Sequence, residues 1–191
     1  MKYRITHFSR RLRGYLTRSA IRRYLRQRRV EITGLPEFFG SWPVFMVEGT
    51  LRLGPSGVFR SLRLRSVFTA LADSSLEIGA NAYINDGVNI CAAERIVVGP
   101  FCKIADLVTI YDCGFHQVTP AVGPRKGPVL IGRNVWIGTG AIILPGAVVG
   151  DHAVIGAGSV VTGRIEAKSV AVGVPARVIR KFECCDDWVR P

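Results

Sequence analysis

The sequence predicts an all-β chain wound into one coil: a parallel β-helix of hexapeptide repeats, with a protruding loop and an N-terminal basic helix. Three observations predict it. Apolar residues recur every six positions, a Gly- and Pro-rich segment interrupts the recurrence, and positive charge is concentrated in the first 30 residues.

The repeat is clearest at Ile131, Ile137, Ile143, Val149, Ile155 and Val161. Gly132, Gly138, Gly150 and Gly156 follow directly after four of these, and the fifth residue of each unit is small or β-branched: Val135, Ala141, Ala147, Ala153 and Ser159. The same pattern runs through Ile78, Ile84, Ile90 and Ile96, and restarts after a two-residue slip at Val98, Ile104 and Ile110. A looser copy lies at Val47, Leu53 and Phe59, and residues 60–76 do not keep the period. A period of six is neither that of a helix nor that of a half-buried strand. It describes a coil with flat faces, each unit a short strand and a turn, three units to a turn of the coil. One coil cannot bury its own aliphatics, so successive coils must stack them into a ladder.

Residues 1–30 hold Lys2 and ten arginines with no acid, whereas the whole chain has a net charge of +12. The sequence is therefore a nearly neutral body, residues 31–182, with a cationic arm in front and a short tail, residues 183–191, behind. Residues 8–29 read as a helix whose stripe is Phe8, Leu12, Tyr15, Leu16, Ala20, Tyr24 and Leu25. Its expected role is a cap on the first coil. Attraction to an anionic membrane surface or an acidic polysaccharide is a second role left open. Arg-rich arms also bind nucleic acid, but the body offers no recognition module, and no nucleic-acid partner is expected. Phe38, Phe39, Trp42 and Phe45 close the coil end or start its first strands.

No apolar run has the length of a bilayer span, and no apolar segment follows the charged start as in a secretory signal. A cytoplasmic protein, at the inner face of the membrane if the arm docks there, is the expectation; an organellar transit peptide is the lesser alternative. The five cysteines are odd in number and form no C-x-x-C pair, which argues against a disulfide framework or a zinc site. Cys91 and Cys102 fall in slots for small residues and are expected to be buried thiols. Cys113 is expected to be incidental.

The break spans residues 112–128, between Ile110 and Ile131, and contains Asp112, Cys113, Gly114, Phe115 and His116, then Gly123, Pro124, Arg125 and Lys126. A loop leaving a rigid coil is where chemistry tends to be placed. His7 lies in the arm, and His152 occupies a turn slot expected to face solvent. No second histidine accompanies His116, so no metal site is expected.

The segments Ile110-Tyr-Asp-Cys-Gly-Phe-His116, Val135-Trp136-Ile137-Gly138, Ile155-Gly-Ala-Gly-Ser-Val-Val-Thr162 and Gly173-Val-Pro-Ala-Arg177-Val-Ile-Arg180-Lys181-Phe182 resemble the hexapeptide-repeat acyltransferases. Within them the likeness is to maltose, galactoside and nodulation-factor acetyltransferases and to exopolysaccharide O-acetyltransferases of the colanic-acid type. The resemblance covers roughly residues 45–182 and implies a left-handed coil, a homotrimer with shared sites, and acetyl transfer from acetyl-CoA without a metal. It implies that His116 is the general base, Asn85 holds the acceptor, and Trp136 borders the donor channel. It places Gly138, Ala157 and Thr162 along the pantetheine arm, and Arg177 and Arg180 near the nucleotide phosphates. The family's Lys after the Thr of Val-Val-Thr is absent: Gly163 stands there, and Arg164 is the next cation. The group orienting His116 is Asp112 or a backbone carbonyl.

A sugar hydroxyl is a weak nucleophile, and a neutral imidazole in hydrogen-bond reach removes its proton as it attacks a thioester. The expected function is therefore O-acetyl transfer to a sugar or glycan precursor, as in polysaccharide biosynthesis. Antibiotic acetylation, sugar N-acylation and a non-enzymatic β-helix scaffold are the alternatives. A serine acetyltransferase is disfavoured, since its large helical N-terminal domain is missing.

Overall fold

The computed structural model describes residues 17–117 and 119–191. A helix, α1 (residues 17–27), leads into a left-handed parallel β-helix. The first coil holds β1 (Val30–Ile32), β2 (Glu37–Gly40) and β3 (Val44–Val47), and the second β4 (Thr50–Leu53), β5 (Val58–Ser61) and β6 (Val67–Ala70). The third holds β7 (Ser75–Ile78), β8 (Tyr83–Ile84) and β9 (Asn89–Ala92), and the fourth β10 (Arg95–Val98), β11 (Lys103–Ile104) and β12 (Thr109–Tyr111). After the insert come β13 (Val129–Ile131), β14 (Trp136–Ile137) and β15 (Ile142–Ile143), then β16 (Val148–Val149), β17 (Val154–Ile155) and β18 (Val160–Val161). The coil ends with β19 (Arg164–Ile165) and β20 (Ser169–Gly173), and β21 (Ala176–Lys181) turns back antiparallel to β20.

Every third strand stacks, giving three faces. Face A runs β1-β4-β7-β10-β13-β16-β19, face B runs β2-β5-β8-β11-β14-β17-β20-β21, and face C runs from β3 through β6, β9, β12 and β15 to β18. The predicted inward ladder is buried, from Ile78, Ile84 and Ile90 to Ile131, Ile137, Ile143, Val149, Ile155 and Val161. The small fifth residues beside it, Val135, Ala141, Ala147, Ala153 and Ser159, are also buried. They must be small because the aliphatics already fill the narrow triangular interior at close-packed density.

The two-residue slip has a simple cause. Strands β4, β7, β10 and β13 of face A bury two side chains each, two residues apart, so Ile96 and Val98 both point inward and pair with Leu76 and Ile78. Residues 60–76 also find their place. They are the end of β5, a long corner at 62–66, β6, and the turn into β7. The corner is tied down by Asp86, whose carboxylate accepts from the Leu62 amide at 2.6 Å and Arg63 Nε at 3.2 Å.

At the N-terminal end the core becomes aromatic: Phe38, Phe45, Phe59 and Phe68 pack ring on ring. Helix α1 closes this end as expected, burying Ile21 and Leu25 and donating the Tyr24 hydroxyl to the Pro43 carbonyl at 2.5 Å. The expected stripe needs correction, since Ala20 is exposed and Ile21 takes its place. Phe8, Leu12, Tyr15 and Leu16 lie outside the described residues.

The edge between faces A and B is a column of left-handed residues, Ser56, Asn81, Phe101, Asn134, His152 and Lys168. From Asn81 onward each amide donates to the carbonyl of the corner below it, as His152 does to Arg133 at 2.8 Å. Two expectations fail beside this regularity. His152 is buried rather than solvent-facing, because residues 183–191 fold back over it. Cys91 is only half-buried, on the outer side of β9, whereas Cys102 is buried as expected.

Candidate functional site

The residues singled out by the sequence fall on two edges of the prism, the two that border face C. On the B–C edge lie Asn85, after β8, Gly138, after β14, and Ala157, after β17. On the C–A edge lie Asp112 with the insert, after β12, and Thr162, between β18 and β19. Trp136 points outward from face B and is half exposed.

The insert leaves the coil through a closed root. Gly114 N–H donates to Arg125 O at 2.8 Å, Gly127 N–H donates to Asp112 O at 3.0 Å, and Cys113 bridges Lys126. His116 lies beyond this root with its side chain exposed. Its amide donates to Gly114 O at 2.7 Å across Phe115, which is held at φ +60°. A bulky residue in that region is strained, and such strain concentrates at functional turns.

Asp112 is not directed at His116. Its carboxylate is fully buried and accepts from Ala93 N–H at 2.7 Å and Glu94 N–H at 2.9 Å. This corrects the first of the two expectations for the orienting group. The carboxylate holds the C–A corner of the coil beneath, because amides at a turn need acceptors that no strand supplies.

On the B–C edge, Gly140 and Gly158 adopt positive φ of 67° and 65°, and a Cβ on either would meet nothing within 4 Å. The backbone is therefore bare at Gly140 and Gly158, one coil above the other, leaving a smooth shelf for an extended ligand. On the C–A edge a cation that the sequence reading passed over stands near Thr162. Arg125, from the insert, donates Nη2 to Thr162 O at 3.0 Å beside Gly163. Arg164 is exposed at the start of β19, and Arg177 and Arg180 are exposed on β21.

A cavity of about 600 Å³ opens on face B. Tyr83, Asn85, Lys103 and Trp136 line its inner wall, and Trp188, Arg190 and Pro191 its outer wall. The tail is anchored by Arg190 N–H on Asn134 Oδ1 at 3.0 Å, by Asn134 Nδ2 on Trp188 O at 2.9 Å, and by Arg190 Nη2 on His152 O at 3.1 Å. The Arg190 guanidinium lies 4.9 Å from the Trp188 ring centre and 5.8 Å from that of Trp136. These tail residues had no repeat pattern to reveal them; the only signal was aromatic and basic character in a short segment.

Fold and repeat define a class. Residues 128–163 match the family model of the bacterial transferase hexapeptide (six repeats). Over that segment the chain is similar to the hexapeptide-repeat transferases. The galactoside O-acetyltransferase of Escherichia coli (strain K12) is 40% identical over 112 residues, covering 57% of this chain and 55% of that protein. The putative lipopolysaccharide biosynthesis O-acetyl transferase WbbJ of the same strain is 36% identical over 114 residues, covering 53% of this chain and 58% of the other. A galactoside acetyltransferase solved in complex with coenzyme A matches with a TM-score of 0.50 and 29% identity, over 81% of this chain and 64% of that one. The chain thus spans between a half and two thirds of the length of these relatives.

Proposed function

We propose that the chain is an O-acetyltransferase that moves an acetyl group from acetyl-CoA to a hydroxyl of a sugar or glycan precursor. The observation that carries this reading is the pairing of the exposed, strained His116 turn on one edge with the bare glycine shelf on the other. The likeness to acetyltransferases, one of them with coenzyme A bound, supports it.

In this reading His116 takes the proton from the acceptor hydroxyl as its oxygen attacks the thioester carbonyl. The C–S bond breaks, and the same imidazole returns the proton to the departing thiolate. The pantetheine arm lies along Gly138–Gly140 and Gly156–Gly158. Arg125, at the Thr162 corner, supplies the cation that Gly163 lacks, and Arg164, Arg177 and Arg180 face the phosphates.

His116 and the shelf lie on opposite borders of face C, so a complete site is built when the C–A edge of one copy meets the B–C edge of the next. A closed ring of three satisfies this, since each copy offers both edges and a head-to-tail contact closes by rotation. Exposed Leu62, Leu64, Leu107 and Ile142 on the B–C edge and face C, and Val122 on the insert, support such a contact. Mixing is the test. His116→Ala and Asn85→Ala chains are each inactive alone, and refolded together they regain activity at up to roughly a quarter of the sites by random assembly. No recovery in mixed oligomers refutes the shared site.

The exposed arginines of α1 and the turn after it, Arg18, Arg22, Arg23, Arg26, Arg28 and Arg29, have no carboxylate partner among the described residues. Their field suits attraction to an anionic membrane surface, which would place the enzyme at the cytoplasmic face beside lipid-linked glycan.

A further inference from the structure

Among the described residues, two buried side-chain polar atoms have no hydrogen-bond partner: Asn85 Oδ1 and Arg190 Nε. Both residues line the face B cavity. One atom is an acceptor and the other a charged donor. Buried polar atoms are nearly always paired, and an orphan calls for a specific explanation. Two orphans of opposite kind in one cavity call for a ligand that offers both a hydroxyl and an electron-rich oxygen.

The charge around them is one-sided. Lys103 and Arg190 line the cavity, no Asp or Glu side chain does, and neither cation is paired with one among the described residues. Burial draws the Arg190 guanidinium below its ordinary range, with no Asp or Glu side chain set against it. The Lys103 ammonium donates to Pro191 O and retains two further protons to give. Tyr83, Trp136 and Trp188 supply flat apolar surface. Rings of this kind suit the C–H faces of a sugar, as they suit any ligand with one apolar face and a polar rim.

We infer that this cavity binds an anionic sugar, a hydroxylated ring bearing a carboxylate or a phosphate, with residues 188–191 as its outer wall. Asn85 Oδ1 accepts from a ring hydroxyl, and Arg190 Nε and the Lys103 ammonium meet the anion. The inference deepens the acetyl-transfer reading and rests on it for the identity of the ligand as the acceptor.

Two of the three tryptophans line the cavity, so tryptophan fluorescence reports its occupancy. The full chain is titrated with glucose, glucuronate and glucose 6-phosphate. Saturable quenching is expected for at least one anion, at a concentration about tenfold or more below that for glucose, or ~1.4 kcal/mol. The carboxylate and phosphate arms identify the anion. Arg190→Gln and Lys103→Gln should each remove most of that preference. Lys103→Gln, on the rigid coil, keeps the test decisive if Arg190→Gln releases the tail. Equal response to glucose and both anions, no saturable response to any of them, or a preference that survives Lys103→Gln overturns the inference. Acetyl-CoA is titrated alongside by calorimetry. Donor binding without anion preference overturns this inference and leaves acetyl transfer standing. Anion preference without donor binding upholds the cavity's ligand and overturns acetyl transfer.

Discussion

Replacing Asp112 tests whether the carboxylate beneath the insert positions the coil or the base. Its side chain is fully buried, and its two hydrogen bonds, at 2.7 and 2.9 Å, hold the Ala93 and Glu94 amides. Bonds to a charged group contribute ~1.5–3 kcal/mol each. Both amides sit near a surface corner, where water recovers part of the loss, so Asp112→Ala should cost roughly 3 kcal/mol in total. For a chain of this size each kcal/mol moves the melting point by about 2–4 °C, which gives a fall of roughly 6–12 °C. Asp112→Asn should recover little, because its amide nitrogen would face one of the two N–H donors. Turnover should fall in both variants, since the root of the insert loosens. The pH profile of the remaining turnover should keep its shape, because the base itself is untouched. Circular dichroism melts and thiol-release kinetics across pH measure both quantities. An unchanged melting point with a displaced pH profile in Asp112→Asn would refute the reasoning and return Asp112 to the role of orienting His116.

Three further outcomes follow from single contacts. Arg125→Ala should weaken acetyl-CoA binding by about tenfold, the size of one lost charge-assisted contact, with no change in melting point; calorimetry beside a thermal melt checks it. Gly158→Ala places a methyl on the open shelf in a left-handed conformation, so stability should fall by about 1–2 kcal/mol and the KM for acetyl-CoA should rise. Burial works against the Asp86 carboxylate, but hydrogen bonds from the Leu62 amide and from Arg63 outweigh it and hold the group below the usual carboxylate range. A depressed folded value means that its stabilisation is complete above about 3.9, the unfolded value, and is lost as pH falls through the folded one. The stability gap between the native chain and Asp86→Asn should be flat at neutral pH and shrink below that point; a gap that widens in acid would reverse the sign.

The six-residue period was sufficient for the fold because it records a local and repeated constraint. Each aliphatic such as Ile137 or Ile155 is inward for the same reason, and each small neighbour such as Ala141 or Ala153 is small for the same reason. The break at residues 112–128 was visible for the converse reason, and it drew attention to His116. Residues 60–76 were illegible because their long corner is stabilised by Asp86, about twenty residues further on, rather than by its own pattern.

Sequence alone thus determined the coil, its three faces, the basic cap and the insert that carries His116, since all of these follow from spacing and composition. Tertiary structure decided the rest. It assigned the candidate residues to two edges, turned Asp112 away from the base, and brought Arg125 to Thr162. It also buried His152 under a tail whose Trp188 and Arg190 meet Asn134 across more than fifty residues. Those contacts join segments without a shared period, and a periodic signal carries information only about residues that obey it.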